Sequence, residues 1–147
     1  MNVIEEKIEA LQTFSDNLFE YIRLEVIDDE AIIADMNAQV QLYEQGVYTT
    51  GEPISDKVPY TSTTIQVKLA KGQPTNRVTL KDEGDFHASF RVIADDVSFF
   101  IDATDWKASK LAEKYGFDIF GLTDENLNEL IWEYIYPCLI NKANELL

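Results

Sequence analysis

The sequence has few of the residues that build metal sites and nucleophilic active sites. It contains one cysteine, Cys138, and one histidine, His87, among 147 residues. A single cysteine excludes a disulfide within the chain. Zinc sites and Cys–His or Ser–His nucleophiles need several nitrogen or sulfur ligands, or a nucleophile with a base beside it. The composition therefore argues against all of these chemistries.

The sequence also lacks long apolar runs. No apolar stretch approaches the roughly 20 residues that are needed to span a bilayer. The first six residues, Met1 to Glu6, lack the basic and apolar regions of a secretion signal. We therefore expect no membrane partner, and a protein that stays in the cytoplasm where it is made or is packaged from it.

Basic residues are scarce, and they are unevenly distributed. The chain has 12 basic and 27 acidic residues, which give a formal net charge of −15 at pH 7. Residues 1–45 contain 11 acids and 2 bases, residues 46–92 contain 5 and 6, and residues 93–147 contain 11 and 4. An acidic surface repels phosphate, which argues against tight nucleic-acid binding. A soluble, highly charged surface explains the pattern, and an acidic DNA mimic that inhibits a nucleic-acid enzyme is an alternative.

Apolar residues, in contrast, are plentiful. They make up 46% of the chain and aromatic residues 12%, which is enough for a packed core and unlike a disordered tail. At this length we expect one domain over residues 1–147.

Apolar residues at spacings of three and four predict two N-terminal helices. The first runs from about Val3 to Arg23, and the second from about Asp29 to Gln45, where Gly46 ends it. The apolar face of the first consists of Ile4, Ile8, Leu11, Phe14 or Phe19, Leu18 and Ile22. The apolar stripe of the second consists of Ile33, Met36, Val40 and Tyr43.

A hairpin is predicted near residue 95. The β-rich runs Arg91–Ala94 and Val97–Ile101 are separated by Asp95-Asp96, and a two-residue link of this kind is typical of a hairpin. We expect it at the centre of a small antiparallel sheet, with helices from both chain ends packed on it. The stretch from Phe86 to Phe90 fits a helical turn or a strand, and we favour a short turn around Gly84 that runs into a strand.

The C-terminal third predicts further helices. Asp105 to Tyr115 fits a short helix that Gly116 ends, and Thr123 is a suitable N-cap for the last helix. Pro137 is expected to kink or divide that helix. Together, these elements predict an α+β fold with two N-terminal helices, a small antiparallel sheet and C-terminal helices.

Residues 46–77 predict a long, extended connecting arm or loop. Glycines and prolines interrupt its first part, and a second loop follows Gly72. Between them, Thr61–Lys71 fits either a strand or a short helix capped by Thr61 or Ser62. Simple flexibility is one interpretation, and an arm that orders on a neighbouring subunit is the other. The candidate subunit-contact residues of this arm are Tyr48, Lys57, Tyr60, Ile65, Lys68, Leu69, Lys71 and Arg77.

One cluster resembles a ligand set. Asp82, Glu83, Asp85 and His87 lie close together in sequence, but without the spacing of an EF-hand loop, and we interpret them as a solvated acidic turn. No phosphate-binding glycine loop or nucleophile elbow occurs. We expect no enzyme, no catalytic residue, no cofactor and no metal; a small metal-dependent enzyme built on this cluster is the third alternative.

Three short segments, in order, resemble the tail-completion and virion-morphogenesis proteins of tailed bacteriophages, a group that includes head–tail joining, or neck, proteins. The segments are Tyr60-x-x-x-Thr64-Ile65-x-x-Lys68, Thr79-Leu80-x-Asp82-x-Gly84-x-Phe86-x-x-Ser89-Phe90 and Phe120-Gly121-Leu122-Thr123-Asp124-Glu125-x-Leu127. The resemblance covers roughly residues 40–145. Glu83 stands where the family has threonine, and Phe86 stands where it has leucine.

The resemblance implies a non-enzymatic structural subunit that assembles as a ring around the DNA path, at the neck or tail terminus of a virion. Its implied partners are copies of itself, neighbouring portal, neck or tail-tube proteins, and DNA that passes without specific binding. The implied location is the virion, assembled in the host bacterial cytoplasm. The acidic composition suits a channel through which DNA slides without sticking.

Overall fold

A computed structural model describes residues 2–147, apart from the side chain of Glu30. It combines helices with a two-stranded antiparallel sheet, which confirms the predicted α+β class. The α-helices are α1 (Val3–Asp16), α2 (Leu18–Ile22), α3 (Glu30–Asp35), α4 (Ile54–Lys57), α5 (Ser62–Ala70), α6 (Asp85–Ala88), α7 (Ala108–Tyr115), α8 (Asp124–Leu130) and α9 (Tyr136–Leu146). The strands are β1 (Phe90–Ala94) and β2 (Phe99–Ala103). Within the described residues, no helix combines the length and the apolar character that crossing a membrane requires.

The first predicted helix exists but does not pack as expected. It is divided into α1, α2 and a π-helical segment, Arg23–Ile27. A capping box starts α1, in which the Glu5 amide donates to Asn2 Oδ1 at 2.9 Å and the Asn2 amide donates to the Glu5 carboxylate at 3.2 Å. However, α1 buries none of its residues and contacts α9 rather than the sheet.

The second predicted helix is also confirmed, with a different inner face. It consists of α3 and a π-helical segment, Met36–Gln45, and ends where Gly46 adopts a left-handed conformation. Val40 and Tyr43, which we expected in its apolar stripe, are only half-buried. The polar residues Asn37 and Gln41 are fully buried instead.

Asn37 and Gln41 are buried because their side-chain amides form hydrogen bonds with the backbone of residues 119–123, as a neighbouring strand would. Asn37 donates to the carbonyl of Ile119 at 3.0 Å and accepts from the amide of Gly121 at 2.8 Å. Gln41 donates to the carbonyl of Gly121 and accepts from the amide of Thr123, both at 2.8 Å. Residues four apart on a helix share a face, and alternate residues of an extended chain point to one side. We call this arrangement, between Asn37 and Gln41 and residues 119–123, the amide ladder.

Thr49 holds the other side of the same segment. Its amide and its hydroxyl both donate to the carbonyl of Asp118 at 2.8 Å, and the hydroxyl is 3.2 Å from the carbonyl oxygen of Phe120. Gly121, with a φ of +128°, lies against Thr49 so closely that a Cβ added to it would be 2.8 Å from Thr49 Oγ1. Only glycine fits this position without displacing the threonine.

The hairpin is confirmed, but its loop is longer than predicted. Phe90 pairs with Ala103 and Ala94 pairs with Phe99, so four residues, 95–98, join the strands instead of two. The Asp95 carboxylate accepts from the amides of Val97 and Ser98 at 2.9 and 2.7 Å. A side-chain acceptor of this kind closes the loop without the positive φ values of a two-residue turn.

The core forms where helices cover one face of the hairpin. Phe86 on α6, Phe90 on β1 and Phe120 pack with ring centroids 5.0–6.2 Å apart. The short turn predicted around Gly84 is therefore one turn of helix that leads into β1. Aromatic pairs in this geometry add stabilisation beyond the area that they bury.

Residues 46–77 are not an extended arm in this structure. They form α4 and α5 and pack on their own chain, where Tyr48 is 3% exposed and Ile54 is fully buried. The Tyr48 hydroxyl donates to the carbonyl of Tyr115 at 2.8 Å. Thr61 caps α5 by accepting from the Thr64 amide at 3.2 Å, so the helical alternative for Thr61–Lys71 is the correct one. The glycines and prolines mark short turns between small elements, which we interpreted as one long loop.

The helix ends predicted in the C-terminal third are confirmed at Gly116 and Thr123. Gly116 ends α7, and Thr123 caps α8 by accepting from the Asn126 amide at 3.1 Å. Before Pro137 the helix changes to a π-helical segment, Ile131–Ile135, and then continues as α9. The missing N–H of the proline is accommodated there without ending the helix.

The amide ladder predicts a large effect for Gln41→Leu. The change leaves the Gly121 carbonyl and the Thr123 amide without their partners in a buried position, which should lower the free energy of unfolding by roughly 2–5 kcal/mol. Urea denaturation measures this change. Gln39→Leu, at an exposed position on the same helix, is the control and should change stability by less than about 0.5 kcal/mol. Equal effects of the two variants would contradict the role of the ladder.

Gly121→Ala should also be destabilising, by at least about 2 kcal/mol, because it combines a strained φ with a clash against Thr49. Gly51→Ala is a matched control, because Gly51 has a φ of +88° but nothing within 4 Å of the added Cβ. It should cost only the backbone strain, about 1 kcal/mol. Thermal unfolding of both variants separates the two contributions.

Candidate subunit-contact cleft

A cleft of about 310 Å³ lies where α5, α7 and the loop before α6 meet. Its apolar lining comes from Val67, Leu80, Phe86 and Leu111. Its charged lining consists of four lysines and one aspartate: Lys68, Lys81, Lys107, Lys114 and Asp82. We call it the lysine cleft. Its lining carries a formal charge of +3 in a chain whose net charge is −15.

These four lysines are not neutralised by the carboxylates around them. Within the described part of the chain, none of the four has a carboxylate oxygen within 4.0 Å of its nitrogen. The cleft therefore keeps a positive potential on an otherwise acidic molecule. Concave surfaces lined by one sign of charge attract ligands of the other sign.

Lys68 is held in place by its surroundings. The residue is only 8% exposed, its ammonium donates to the backbone carbonyl of Lys81, and it lies 5.6 Å from the centre of the Tyr60 ring. The Tyr60 hydroxyl in turn accepts from the amide of Thr79 at 3.0 Å. These contacts fix the cation in the wall of the cleft.

The loop opposite α5 contains an unusual backbone conformation. Leu80 has a φ of +57° and is the only non-glycine residue among those described with a positive φ. This left-handed conformation costs a leucine about 1–2 kcal/mol. It turns Leu80 into the cleft and leaves the Lys81 carbonyl where Lys68 binds it. Strain of this kind is commonly located at functional sites.

Asp82 is the single acid of the lining, and Lys71 pairs with it. Their hydrogen bond lowers the pKa of the Asp82 carboxyl and raises the pKa of Lys71. The pair is solvent-exposed and adds little to stability. It does offset part of the charge that Asp82 would otherwise bring to the cleft.

The structure brings together only some of the sequence-predicted contact residues. Tyr60 and Lys68 line the cleft, and Lys71 borders it through Asp82. Ile65 is half-buried and Leu69 is exposed, both on α5. Tyr48 is a core residue under Lys57, whose nitrogen is 5.6 Å from its ring centre. Arg77 is directed away, because its Nε donates to the Tyr43 carbonyl at 2.7 Å.

Sequence reasoning missed the other half of the cleft. Lys81, Lys107 and Lys114 lie outside residues 46–77; Lys114 belongs to α7, and Lys107 immediately precedes it. A signal was present, because eight of the 12 basic residues lie within 57–81 and 107–114. The charge count over the whole of residues 93–147 does not show this cluster of basic residues, because that range contains 11 acids and only four bases.

The acidic cluster does not assemble as a ligand set. Among the described residues, no group of three or more histidine, cysteine, aspartate or glutamate side chains is arranged to hold a metal ion. Asp82 pairs with Lys71, while His87 is 4% exposed and packs against Phe86 and Phe90. Burial is the main cause that lowers the pKa of His87 to about 4; the charges of Lys81 and Lys68 contribute in the same direction, and the backbone of Thr79 opposes them.

The lining of the cleft combines several kinds of binding group. It offers one fixed cation at Lys68, three further lysines, threonine hydroxyls and apolar side chains in one concave surface. An amphipathic, acidic segment could place carboxylates on the lysines and apolar groups on Val67, Phe86 and Leu111.

His87 makes stability pH-dependent. Since its pKa is lower in the folded chain than the usual 6.5, the unfolded chain binds the proton more tightly, and stability falls as the pH falls from 6.5 to 4. The loss should reach about 3 kcal/mol at pH 4. Urea denaturation of the natural chain and of His87→Leu across this range isolates the effect, because the carboxylates are common to both. If the free energies of unfolding of the two proteins changed equally with pH, the role of His87 would be contradicted.

In comparisons with known proteins, no family model, no curated protein and no solved structure matches the chain. The resemblance of its three motifs to phage tail-completion and virion-morphogenesis proteins stays an expectation from the sequence.

Proposed function

We propose that the chain is a non-enzymatic structural subunit of a phage virion, at the head–tail junction or tail terminus, that assembles as a ring around the DNA path. Its partners would be copies of itself and the neighbouring portal, neck or tail-tube proteins. The observation that carries the proposal is the convergence of two of the three sequence motifs on one surface.

The first motif supplies Tyr60, Thr64 and Lys68 to the lysine cleft, and the second supplies Leu80, Asp82 and Phe86. These segments are separated by ten or more residues in the sequence, yet their motif positions share one concave surface. The third motif includes Gly121 and Thr123 of the amide ladder. The motifs thus describe one cleft and the support that fixes the segment before α8.

The charge distribution supports self-assembly. A closed ring forms by head-to-tail contacts between two different patches on each subunit. The lysine cleft is positive, while the N-terminal part of the chain is strongly acidic. Complementary patches of this kind speed association and fix register.

The alternative, an acidic DNA mimic that inhibits a nucleic-acid enzyme, is favoured by the net charge of −15. A mimic of the phosphate backbone needs an acidic surface, and a concave cluster of unpaired lysines would weaken its binding to a basic protein surface. We therefore prefer the structural subunit.

A stop codon in the gene, within the phage genome that encodes the chain, provides the test. We expect heads and tails that fail to join or to mature into infectious particles, seen by electron microscopy, and rescue by the natural gene supplied separately. Mass spectrometry of purified natural virions should detect the chain in several copies per particle. Normal infectious particles that lack the protein would refute the proposal, and its recovery on a nucleic-acid enzyme would favour the alternative.

A further inference from the structure

One part of the apolar face of α1, formed by Ile4, Ile8 and Leu11, stays exposed although α1 contacts α9. Ile4, Ile8 and Leu11 are 70%, 56% and 53% exposed, although they recur at helical spacing on one side. A helix of 14 residues is marginal in water unless it packs its apolar face. The capping box at Asn2 shows that the sequence nevertheless specifies a helix here.

The charges of α1 are the opposite of those in the lysine cleft. Residues 3–16 contain four acids and one base, a formal charge of −3, against +3 for the cleft lining. With 3.6 residues per turn, Glu5, Glu9 and Asp16 follow one edge of the apolar face. The helix therefore presents apolar anchors beside a row of carboxylates, and the cleft presents apolar walls beside lysines.

We propose that α1 of one copy seats Ile4, Ile8 and Leu11 in the lysine cleft of the next copy. Glu9 and Asp16 then face the lysines at the rim, chiefly Lys107 and Lys114. The inference rests on the proposed self-assembly and names the two surfaces that meet. It replaces residues 46–77 as the reaching element with the N-terminal helix.

The cleft of a second copy is a better partner for α1 than the α1 helix of a second copy. Pairing two α1 helices face to face would bring their carboxylates together, and like charges across an interface are unfavourable. The cleft and α1 are different patches, so the contact is head-to-tail and can close a ring.

Disulfide trapping between two variants, each with one introduced cysteine, tests the geometry. Ile8→Cys and Val67→Cys both replace exposed side chains, which are 56% and 47% accessible, so folding should be preserved. The natural Cys138 is buried, and its raised pKa of about 11 keeps it unreactive under mild oxidation. Mixing the two variants should give a cross-linked heterodimer.

The matched control pairs Ile8→Cys with Val97→Cys, which lies in the hairpin loop and is 80% exposed. This pair should not cross-link above the background. Cross-links between two Ile8→Cys chains in preference to the mixed pair would show that α1 helices meet each other, and would overturn the inference.

Charge reversal tests the electrostatic part. Lys107→Glu with Lys114→Glu should weaken self-association at least about tenfold in analytical ultracentrifugation. Combining it with a partner that carries Glu9→Lys and Asp16→Lys should restore the association. Raising the salt from about 0.05 M to about 0.5 M should weaken the natural contact. A reversal without effect, or without rescue, would overturn the inference.

Failure of this inference can be told apart from failure of the proposed function. A chain that occurs in virions but gives no cross-link between position 8 and position 67, in solution or in the particle, retains the function and loses this contact. A chain absent from virions loses the function, whatever the cross-links show.

Discussion

Two buried amides, on Asn37 and Gln41, determine where the two halves of the chain meet. They bind the backbone of residues 119–123, which pairs with neither β1 nor β2. A buried backbone segment without such partners would lose several hydrogen bonds. The same segment positions Phe120 in the aromatic cluster and Thr123 at the start of α8. Both the core and the C-terminal helices therefore depend on this one set of contacts.

The elements of the fold could be predicted because their signals are local. Hydrophobic spacing, the stops at Gly46 and Gly116 and the cap at Thr123 each act within a turn or two of their own position. The amide ladder could not be predicted in this way. Asn37 and Gln41 have the polarity of solvent-facing residues, and only a segment some 80 positions away explains their burial. The sequence pattern therefore places Val40 and Tyr43 on the buried face of the helix, whereas Asn37 and Gln41 occupy it.

Only part of the cleft could be predicted from the sequence, because its two walls are distant from each other in the chain. Its first wall lies partly within residues 46–77, where basic residues stand out in an otherwise acidic chain and tyrosines can serve as anchors, so the sequence predicts Tyr60 and Lys68 as contact residues. Its second wall comes from α7, and nothing in the pattern of α7 alone shows which element it faces. The apolar face predicted for α1 is not buried by the fold, since an amphipathic pattern indicates that a helix has an apolar face but not which surface covers it.

The anchoring of Lys68 has a consequence for how the cleft can bind. A lysine on a free surface samples many rotamers, and fixing it on association costs up to about 2 kcal/mol in side-chain entropy. Here the Lys81 carbonyl and the Tyr60 ring restrict the side chain when the chain folds. The ammonium is already ordered before any partner arrives, so less of its attraction for a carboxylate is lost to ordering. A carboxylate that binds this cation would therefore have to approach it in one geometry.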